Sequence, residues 1–438
     1  MKQLFKFQQD AIESVSKNKN ALLAWQMGTG KTISSIELAK IYGSDILVCL
    51  VLKSTVQQWI DELTEQTEMN VFNGYKKTKK NGIIPFIQCS ERKALVIGYD
   101  AYKTNGCDAL RKYICKNSAN TTLICDESSL IGHRTSQRTK AVIKTNSEHK
   151  IFLSGTPATG GKMENIIPTA NMLGWDITYE EFLSIYCYVN HYVDRSNPWR
   201  RFDIITGYHD IDDMRENLKK HGTSFLTMEE AGWQLPESQN IIVDTDTIPA
   251  YKTFKKKSIV EIDGKEIVGD NALTQMLYER QLCSCIYNKN RTDAIFDLLS
   301  EACDEPVIVF YNWTAELNIL EKICEQLQKP VDYVNGSGRS LRHYDAGDAG
   351  TVILCQYQAA AMGLNLQKSR ICIFASLCLS YSDFDQAQAR INRIGQNRNT
   401  LFYIPLCKGT VEKKIYETLL ERRDYTVQLF TESDAAAA

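Results

Sequence analysis

No stretch of this 438-residue sequence approaches the run of roughly 18 apolar residues that a membrane-crossing helix needs. The opening residues, MKQLFKFQQDAIESV, hold no long apolar core and no small-residue cleavage site, so they do not read as an export signal. The expectation from both is an intracellular protein, cytoplasmic or nuclear, with no membrane partner. Excess basic charge is missing as well. Lys and Arg number 51 against 53 Asp and Glu, a net charge of −2. Composition therefore does not point to nucleic acid, although a neutral body can carry a local basic cleft. Cysteine is plentiful at 14 but lacks pairing. The one tight pair, Cys283 and Cys285, is Cys-x-Cys with no nearby His and no second half, which is not zinc spacing. Scattered cysteines in a chain of this length read as reduced core thiols rather than a disulfide framework. Low-complexity segments and repeats with a period of 20–50 residues are also lacking, which excludes solenoids and long disordered arms.

What is present is an ordinary globular composition, 43% hydrophobic and 24% charged, in a chain long enough for two to three domains. Short apolar runs punctuate the first 175 residues: LLAW (22–25), ILVCLV (46–51), ALVIGY (94–99), TLIC (122–125) and KIFLSG (150–155). Helix-spaced segments such as TISSIELAKIY (32–42) lie between them. Alternation of this kind predicts βα units and a parallel sheet buried on both faces. From 176 to 290 aromatic and charged residues mix, which predicts a mostly helical connecting region with one short strand at 240–246. A second βα series follows at 291–410, with runs at VIVFYN (307–312), TVILCQ (351–356), RICIFAS (370–376) and LFYIPL (401–406). Residues 411–438 hold a closing helix and a tail. The fold expected is α/β, with two parallel-sheet lobes, a small helical insertion and a C-terminal helix.

The sharpest local signal is Met27-Gly28-Thr29-Gly30-Lys31-Thr32, set between an apolar run and a helical segment. That is the context of a P-loop. Gly28 and Gly30 let backbone N–H groups face phosphate oxygens, and the helix N-terminus adds a favourable dipole. Lys31 brings a point charge to the β- and γ-phosphates, and Thr32 offers a hydroxyl to Mg²⁺. Trp25 stands where the general pattern has its first Gly. About 95 residues further on, Asp126-Glu127 closes the run TLIC, at the strand end where open parallel sheets place ligands. Asp126 is the candidate for holding Mg²⁺, and Glu127 for orienting and deprotonating water. ATP and Mg²⁺ are the cofactors this pair of motifs implies.

Taken in order, the motifs resemble the Swi/Snf-like branch of the superfamily-two helicases and translocases, over nearly the whole chain. Leu4-Phe5-Lys6-Phe7-Gln8 looks like the glutamine motif, with Gln8 as adenine reader. Met27–Thr32 resembles the first helicase motif, and Asp126-Glu127-Ser128-Ser129 stands where the family usually shows Asp-Glu-Ala-His. Ser154-Gly155-Thr156-Pro157 is similar to the third motif, which couples hydrolysis to movement. The stretch from Ala359 through Gly363 and Asn365 to Leu366 is similar to the fifth motif. Gln386 to Gln396, with Arg390 and Arg393 inside it, resembles the sixth. Its ending Arg-Ile-Gly-Gln, and Gly409-Thr410-Val411-Glu412 after it, are features of the Swi/Snf-like branch.

The resemblance implies two RecA-like lobes with ATP between them. Gln8, Met27–Thr32, Gly363, Asn365, Gln386, Arg390 and Arg393 would contact it, and Ser129, Ser154 and Thr156 would couple hydrolysis to motion. Arg390 and Arg393, three residues apart, are expected on one helical face, where two planar guanidinium forks can neutralise charge on the γ-phosphate. The implied track is double-stranded DNA held by its backbone. Candidate grips are Lys53 and Ser54, Tyr99, Arg134, and Asn312-Trp313-Thr314, each after a strand or after the Asp-Glu motif. The basic run Lys76–Lys80 fits either phosphate contact or a solvated loop. Ser129 in place of the usual His, and Gly132 where Lys is common, shorten the reach across the cleft. A strand-separating or branch-migrating helicase and a nucleotide-switched interaction protein remain as alternatives. A bare motor of this kind implies a separate protein partner that gives it a task.

Overall fold

The computed structural model describes residues 3–158, 161–193, 201–262, 264–336, 338–357 and 364–430. The chain forms two compact units, Met1–Trp233 and Gln234–Arg422.

In the first unit the apolar runs become β1 (Ala21–Trp25), β2 (Ile46–Val51), β3 (Asn70–Asn73), β4 (Lys93–Gly98), β5 (Thr121–Cys125) and β6 (His149–Ser154). A hairpin of β7 (Cys187–Val193) and β8 (Arg201–Tyr208) follows, then β9 (Thr223–Leu226). The sheet is seven-stranded, in the order β3-β4-β2-β5-β6-β1-β9, and every pairing is parallel. Successive side chains on a strand point to opposite faces, so such a sheet needs two cores. One face carries Leu22, Ala24, Val48, Leu50, Leu95, Ile97 and Phe152. The other carries Leu23, Trp25, Leu47, Cys49, Val96, Ile124 and Leu153. The continuous hydrophobicity of each run follows from that double burial.

The second unit repeats the scheme with β10 (Ser238–Thr245), β11 (Ile259–Ile262), β12 (Lys265–Val268), β13 (Val307–Tyr311), β14 (Val331–Asn335), β15 (Gly338–Ser340), β16 (Val352–Gln356), β17 (Ile371–Phe374) and β18 (Thr400–Cys407). The sheet order is β10-β18-β17-β13-β16-β14-β15. Pairing is parallel throughout except at the edge strand β15. The hairpin β11–β12 stands apart and packs with helices Pro249–Lys257 and Ala272–Cys283 around Tyr251, Phe254, Ile267 and Leu282. Both units are RecA-like α/β lobes.

The stretch 176–290 is divided between the units rather than standing between them. Besides four helices it supplies β9, which completes the first sheet beside β1, and β10, which opens the second beside β18. The strand expected at 240–246 is β10, whereas β9 and the two hairpins were not anticipated in this mixed polar and aromatic stretch. The closing helix runs Val411–Phe430. All 14 cysteines are free thiols. Among the described residues no helix is long and apolar enough to cross a membrane.

One buried ion pair fastens the second unit. Arg291, on helix Lys289–Glu301, meets Glu412 of the closing helix at 2.5 Å, with neither side chain more than 4% exposed. Arg291 also donates to the Ala375 carbonyl at 3.0 Å, and Glu412 accepts the Cys407 N–H at 2.8 Å. The pair thus joins two helices to the ends of β17 and β18. Removing one partner strands a charge in the core, which costs about 3–5 kcal/mol, whereas replacing both with apolar groups is often close to neutral. Glu412→Gln is expected to lower stability in urea unfolding by roughly that amount, and Arg291→Met with Glu412→Leu by much less. Equal losses for the two variants would show that the charges themselves are not what is buried at a cost.

Candidate functional site

The P-loop forms where β1 ends. The backbone turns through Gly28 (φ +86°) and Gly30 (φ +85°), left-handed values that side chains disfavour, and helix Lys31–Ile41 begins. At Gly30 the approach is also close: a Cβ there would lie 2.2 Å from Gln8 Nε2. Gln8 is buried, donates to the Thr29 carbonyl at 2.9 Å, and accepts the Phe5 N–H at 2.9 Å. Its amide therefore grips the P-loop backbone itself. The Thr29 hydroxyl closes the loop on the Gln26 carbonyl at 2.8 Å. Lys31 Nζ sits under the loop and donates to the Trp25 and Gln26 carbonyls at 2.9 and 3.2 Å. Thr32 follows in the first helical turn, half-buried.

Asp126 and Glu127 leave the end of β5. The Asp126 N–H still bonds Leu50 of β2 at 2.9 Å, so the sheet sets its position. Its carboxylate accepts the Trp59 indole N–H at 2.8 Å and the Glu127 N–H at 3.0 Å. The Tyr99 hydroxyl donates to its carbonyl at 2.6 Å. Glu127 adopts φ +48°, a left-handed conformation that costs a non-glycine residue about 1–3 kcal/mol. Burial raises the Asp126 pKa, opposed by the Trp59 hydrogen bond and by Lys31. Burial lowers that of Lys31, opposed by the charges of Glu127 and Asp126. The ammonium and both carboxylates thus share one electrostatic field.

A third loop closes on them. Ser154, the last residue of β6, is fully buried and accepts the Thr156 N–H at 3.0 Å. A Cβ on the Gly155 between them would lie 3.4 Å from Met27 Cγ, 3.6 Å from the Trp25 carbonyl and 3.8 Å from Lys31 Nζ. Ser129 is buried in the 3-10 turn Ser128–Ile131 that follows Glu127. Three strand ends, of β1, β5 and β6, therefore bring Lys31, Asp126, Glu127 and Ser154 to one edge of the sheet. The turning glycines and the cation fit a bound polyphosphate, and Thr32 and Asp126 are the oxygen donors on hand for Mg²⁺.

In the second unit Gln386 lies on helix Tyr381–Gln388 and reaches Ser382 Oγ at 3.5 Å. The helix stops at Gln388, so Arg390 and Arg393 occupy the turn beyond it and do not share a helical face. The reason is local: the Arg390 carbonyl accepts the Leu366 N–H at 3.2 Å instead of continuing the helix, and Gly395 turns left-handed at φ +96°. Arg390 is buried, and Arg393 donates to the Leu364 carbonyl at 3.0 Å. Burial lowers the Arg393 pKa. Asn365 is exposed. Gly363 lies outside the described residues. Gln396, which ends the motif, is buried: its amide donates to the Gln367, Ser369 and Ile391 carbonyls at 3.1, 2.8 and 3.4 Å, and its oxygen accepts the N–H groups of Asn397 and Arg398.

The expected DNA grips divide. Lys53 is exposed after β2, its ammonium 5.9 Å from the Tyr75 ring centroid. Ser54 lies in the same turn, its side chain outside the described residues. Arg134 is exposed over Tyr179 at 4.1 Å. Thr314 is exposed, and Trp313 is half-buried beneath the Arg280 guanidinium at 4.9 Å. Asn312 is tied inward, donating to Ser376 Oγ at 2.8 Å and the Leu377 carbonyl at 3.1 Å. Tyr99 is buried with its hydroxyl engaged by Asp126, so it supports the acidic turn and offers no surface to a ligand.

Sequence reasoning missed Trp59, Met228 and Glu316. Trp59 fixes Asp126, and its signal was a Trp on an apolar helix face, whose buried N–H needs a partner. The Met228 N–H bonds Gln26 Oε1 at 2.8 Å, which ties β9's exit to the P-loop. Glu316 accepts the N–H groups of Asn312 and Trp313 and so sets the loop after β13.

Fold and site together define a two-lobe α/β core with a P-loop. Residues 8–182 match the SNF2-related domain, and residues 290–395 match the helicase conserved C-terminal domain. Both matches are to the Swi/Snf-like branch's kind of domain pair, which the chain resembles along most of its length. It is 25% identical to the SWI/SNF-related matrix-associated actin-dependent regulator of chromatin subfamily A-like protein 1 of Xenopus laevis, over 96% of this chain and 43% of that protein. It is 23% identical to the DNA annealing helicase and endonuclease ZRANB3 of Bos taurus, over 97% of this chain and 40% of that one. The chain thus spans less than half the length of either relative. The solved Sulfolobus solfataricus SWI2/SNF2 ATPase core in complex with dsDNA aligns over 99% of this chain and 94% of that one, at 17% identity and a TM-score of 0.42.

Tyr99→Phe separates support of the acidic turn from a grip on DNA. It removes one hydrogen bond and is expected to lower stability by about 1 kcal/mol in urea unfolding while leaving duplex affinity unchanged. Weaker duplex binding at unchanged stability would return Tyr99 to the track.

Proposed function

We propose that this protein is an ATP-driven translocase on double-stranded DNA. The observation that carries the proposal is the meeting of three loops at the carboxyl edge of the first sheet, where Lys31 lies within the field of Asp126 and Glu127 and beside Gly155. Lys31 binds the β- and γ-phosphates, and Thr32 and Asp126 hold Mg²⁺, which neutralises phosphate charge when bound. Glu127 orients and deprotonates the attacking water. Arg390 and Arg393 of the second unit supply the remaining positive charge to the transferring phosphoryl group, which is worth about 10³–10⁵ in rate in motors that use such arginines. Gln8, Gly363, Asn365 and Gln386 belong to the same nucleotide site, and Ser129, Ser154 and Thr156 couple it to movement. Hydrolysis removes contacts that favour one arrangement of the lobes, and that difference in binding energy drives motion. Duplex DNA as the track is supported by the match to the SNF2-related domain and by the exposed Lys53, Arg134 and Thr314. Such a motor core works inside the cell with a separate protein that sets its task.

The test is ATP turnover measured with duplex DNA, single-stranded DNA and RNA. Duplex is expected to stimulate most. A flat rate across all three would favour the nucleotide-switch reading, and strand displacement of a labelled oligonucleotide would favour the strand-separating one. Lys31→Ala and Glu127→Gln are each expected to lower kcat by about 10²-fold or more. An unchanged kcat in either variant would overturn the site assignment.

A further inference from the structure

The second unit carries a basic recess that no helicase motif accounts for. It has a volume of about 560 Å³ and is lined by Thr247, Tyr251, Lys252, Lys255, Lys256 and Lys408, with Gly409 at its rim. Its lysines come from two segments far apart in sequence. Lys252, Lys255 and Lys256 lie on helix Pro249–Lys257, and Lys408 directly follows β18. The floor is built. The Thr247 hydroxyl donates to the Lys408 carbonyl at 2.6 Å, and the Lys408 N–H donates to the Thr245 carbonyl at 3.0 Å. Tyr251 is buried, and its oxygen accepts the Val411 N–H at 2.9 Å. Lys408 has an acidic neighbour, Asp244, at a loose 3.6 Å with both side chains about 60% exposed.

Lysines in the last turn of a helix complement its dipole. That explains Lys255, Lys256 and Lys257 on their own helix. It does not explain Lys252 in the helix body or Lys408 arriving from another strand. On a chain whose net charge is −2, four lysines around one recess are a local departure.

We infer that this recess binds a backbone phosphate of duplex DNA, extending the track beyond Thr314. The inference rests on the translocase reading above. The recess lies at the carboxyl ends of β10 and β18, and Asn312–Thr314 follow the carboxyl end of β13 in the same parallel sheet. From β10 to β13 is three strand spacings, about 14 Å at roughly 4.8 Å each. A DNA strand carries a phosphate about every 3.4 Å of helix axis, so one duplex backbone is long enough to meet both places. An all-lysine set offers point charges without the fixed fork of Arg, which suits grip without orientation or sequence readout, as a moving motor requires. An acidic peptide could use the same charges, but nothing else in the recess would select its side chains.

The experiment is fluorescence anisotropy of a labelled random-sequence duplex against salt concentration, with wild-type protein and with Lys252→Ala/Lys256→Ala/Lys408→Ala. Polyglutamate and inorganic tripolyphosphate serve as competing probes. All three side chains are exposed, so the variant keeps its fold. Losing that one phosphate contact should lower the slope of log affinity against log salt by about 0.9. Low-salt affinity should drop about tenfold or more, while ATP turnover without DNA stays unchanged. The matching triple Lys→Arg variant should bind like wild type. Wild-type duplex binding with an unchanged slope in the Ala variant would overturn this inference and leave the translocase reading intact. Loss of polyglutamate or tripolyphosphate binding with duplex binding retained would overturn it equally. Failure of the wild-type protein to bind duplex at all would remove both.

Discussion

A parallel sheet makes every strand end on the same side. Each connection must cross back over a face, so the loops that follow the strands collect along one edge whatever their distance in sequence. The first unit depends on that constraint. Lys31, Glu127 and Ser154 come from three separate places in the sequence, yet they meet because β1, β6 and β5 are neighbours and point the same way. They are placed firmly because β1 and β5 are wholly buried between two cores, and the half of β6 that leads to Ser154 is buried with them. The Asp126 N–H is still a member of the sheet's hydrogen-bond ladder, which makes the acidic turn an extension of a rigid element.

Electrostatics then works on what the sheet delivers. Burial lowers the Lys31 pKa and raises that of Asp126, so each pays for desolvation in the direction of its neutral form, and each offsets the other's cost by proximity. Trp59, Tyr99 and Gln8 take up hydrogen-bonding groups of the two turns and hold them still. Glu127 keeps a left-handed backbone only because these surroundings determine it.

Much of this was legible in the sequence, for a physical reason. Strands buried on both faces must be apolar without interruption, so LLAW, ILVCLV and TLIC stood out, and the residues directly after them stood out with them. Gly28 and Gly30 were legible because few other residues take their backbone angles. The division of β9 and β10 between two sheets was not legible, since β9 is only four residues long and the partners β1 and β18 are distant in sequence. Arg390 and Arg393 showed a helical spacing that the chain does not follow, because a carbonyl bond to Leu366 competes with the helix. Tyr99 at a strand end looked like a surface residue. Only the structure shows the Asp126 carbonyl waiting for its hydroxyl.

Gln396 has a wider consequence. It is the residue by which the Arg-Ile-Gly-Gln ending is recognised, yet its side chain touches five backbone groups of its own lobe and is buried. Its place is that of a clasp, joining the chain after Leu366 to the turn that carries the arginines. What marks a lineage in sequence is here a way of closing a loop. A chain could keep that signature after losing its chemistry, or run the chemistry with another clasp, so ancestry and activity are written in different residues even inside one short motif.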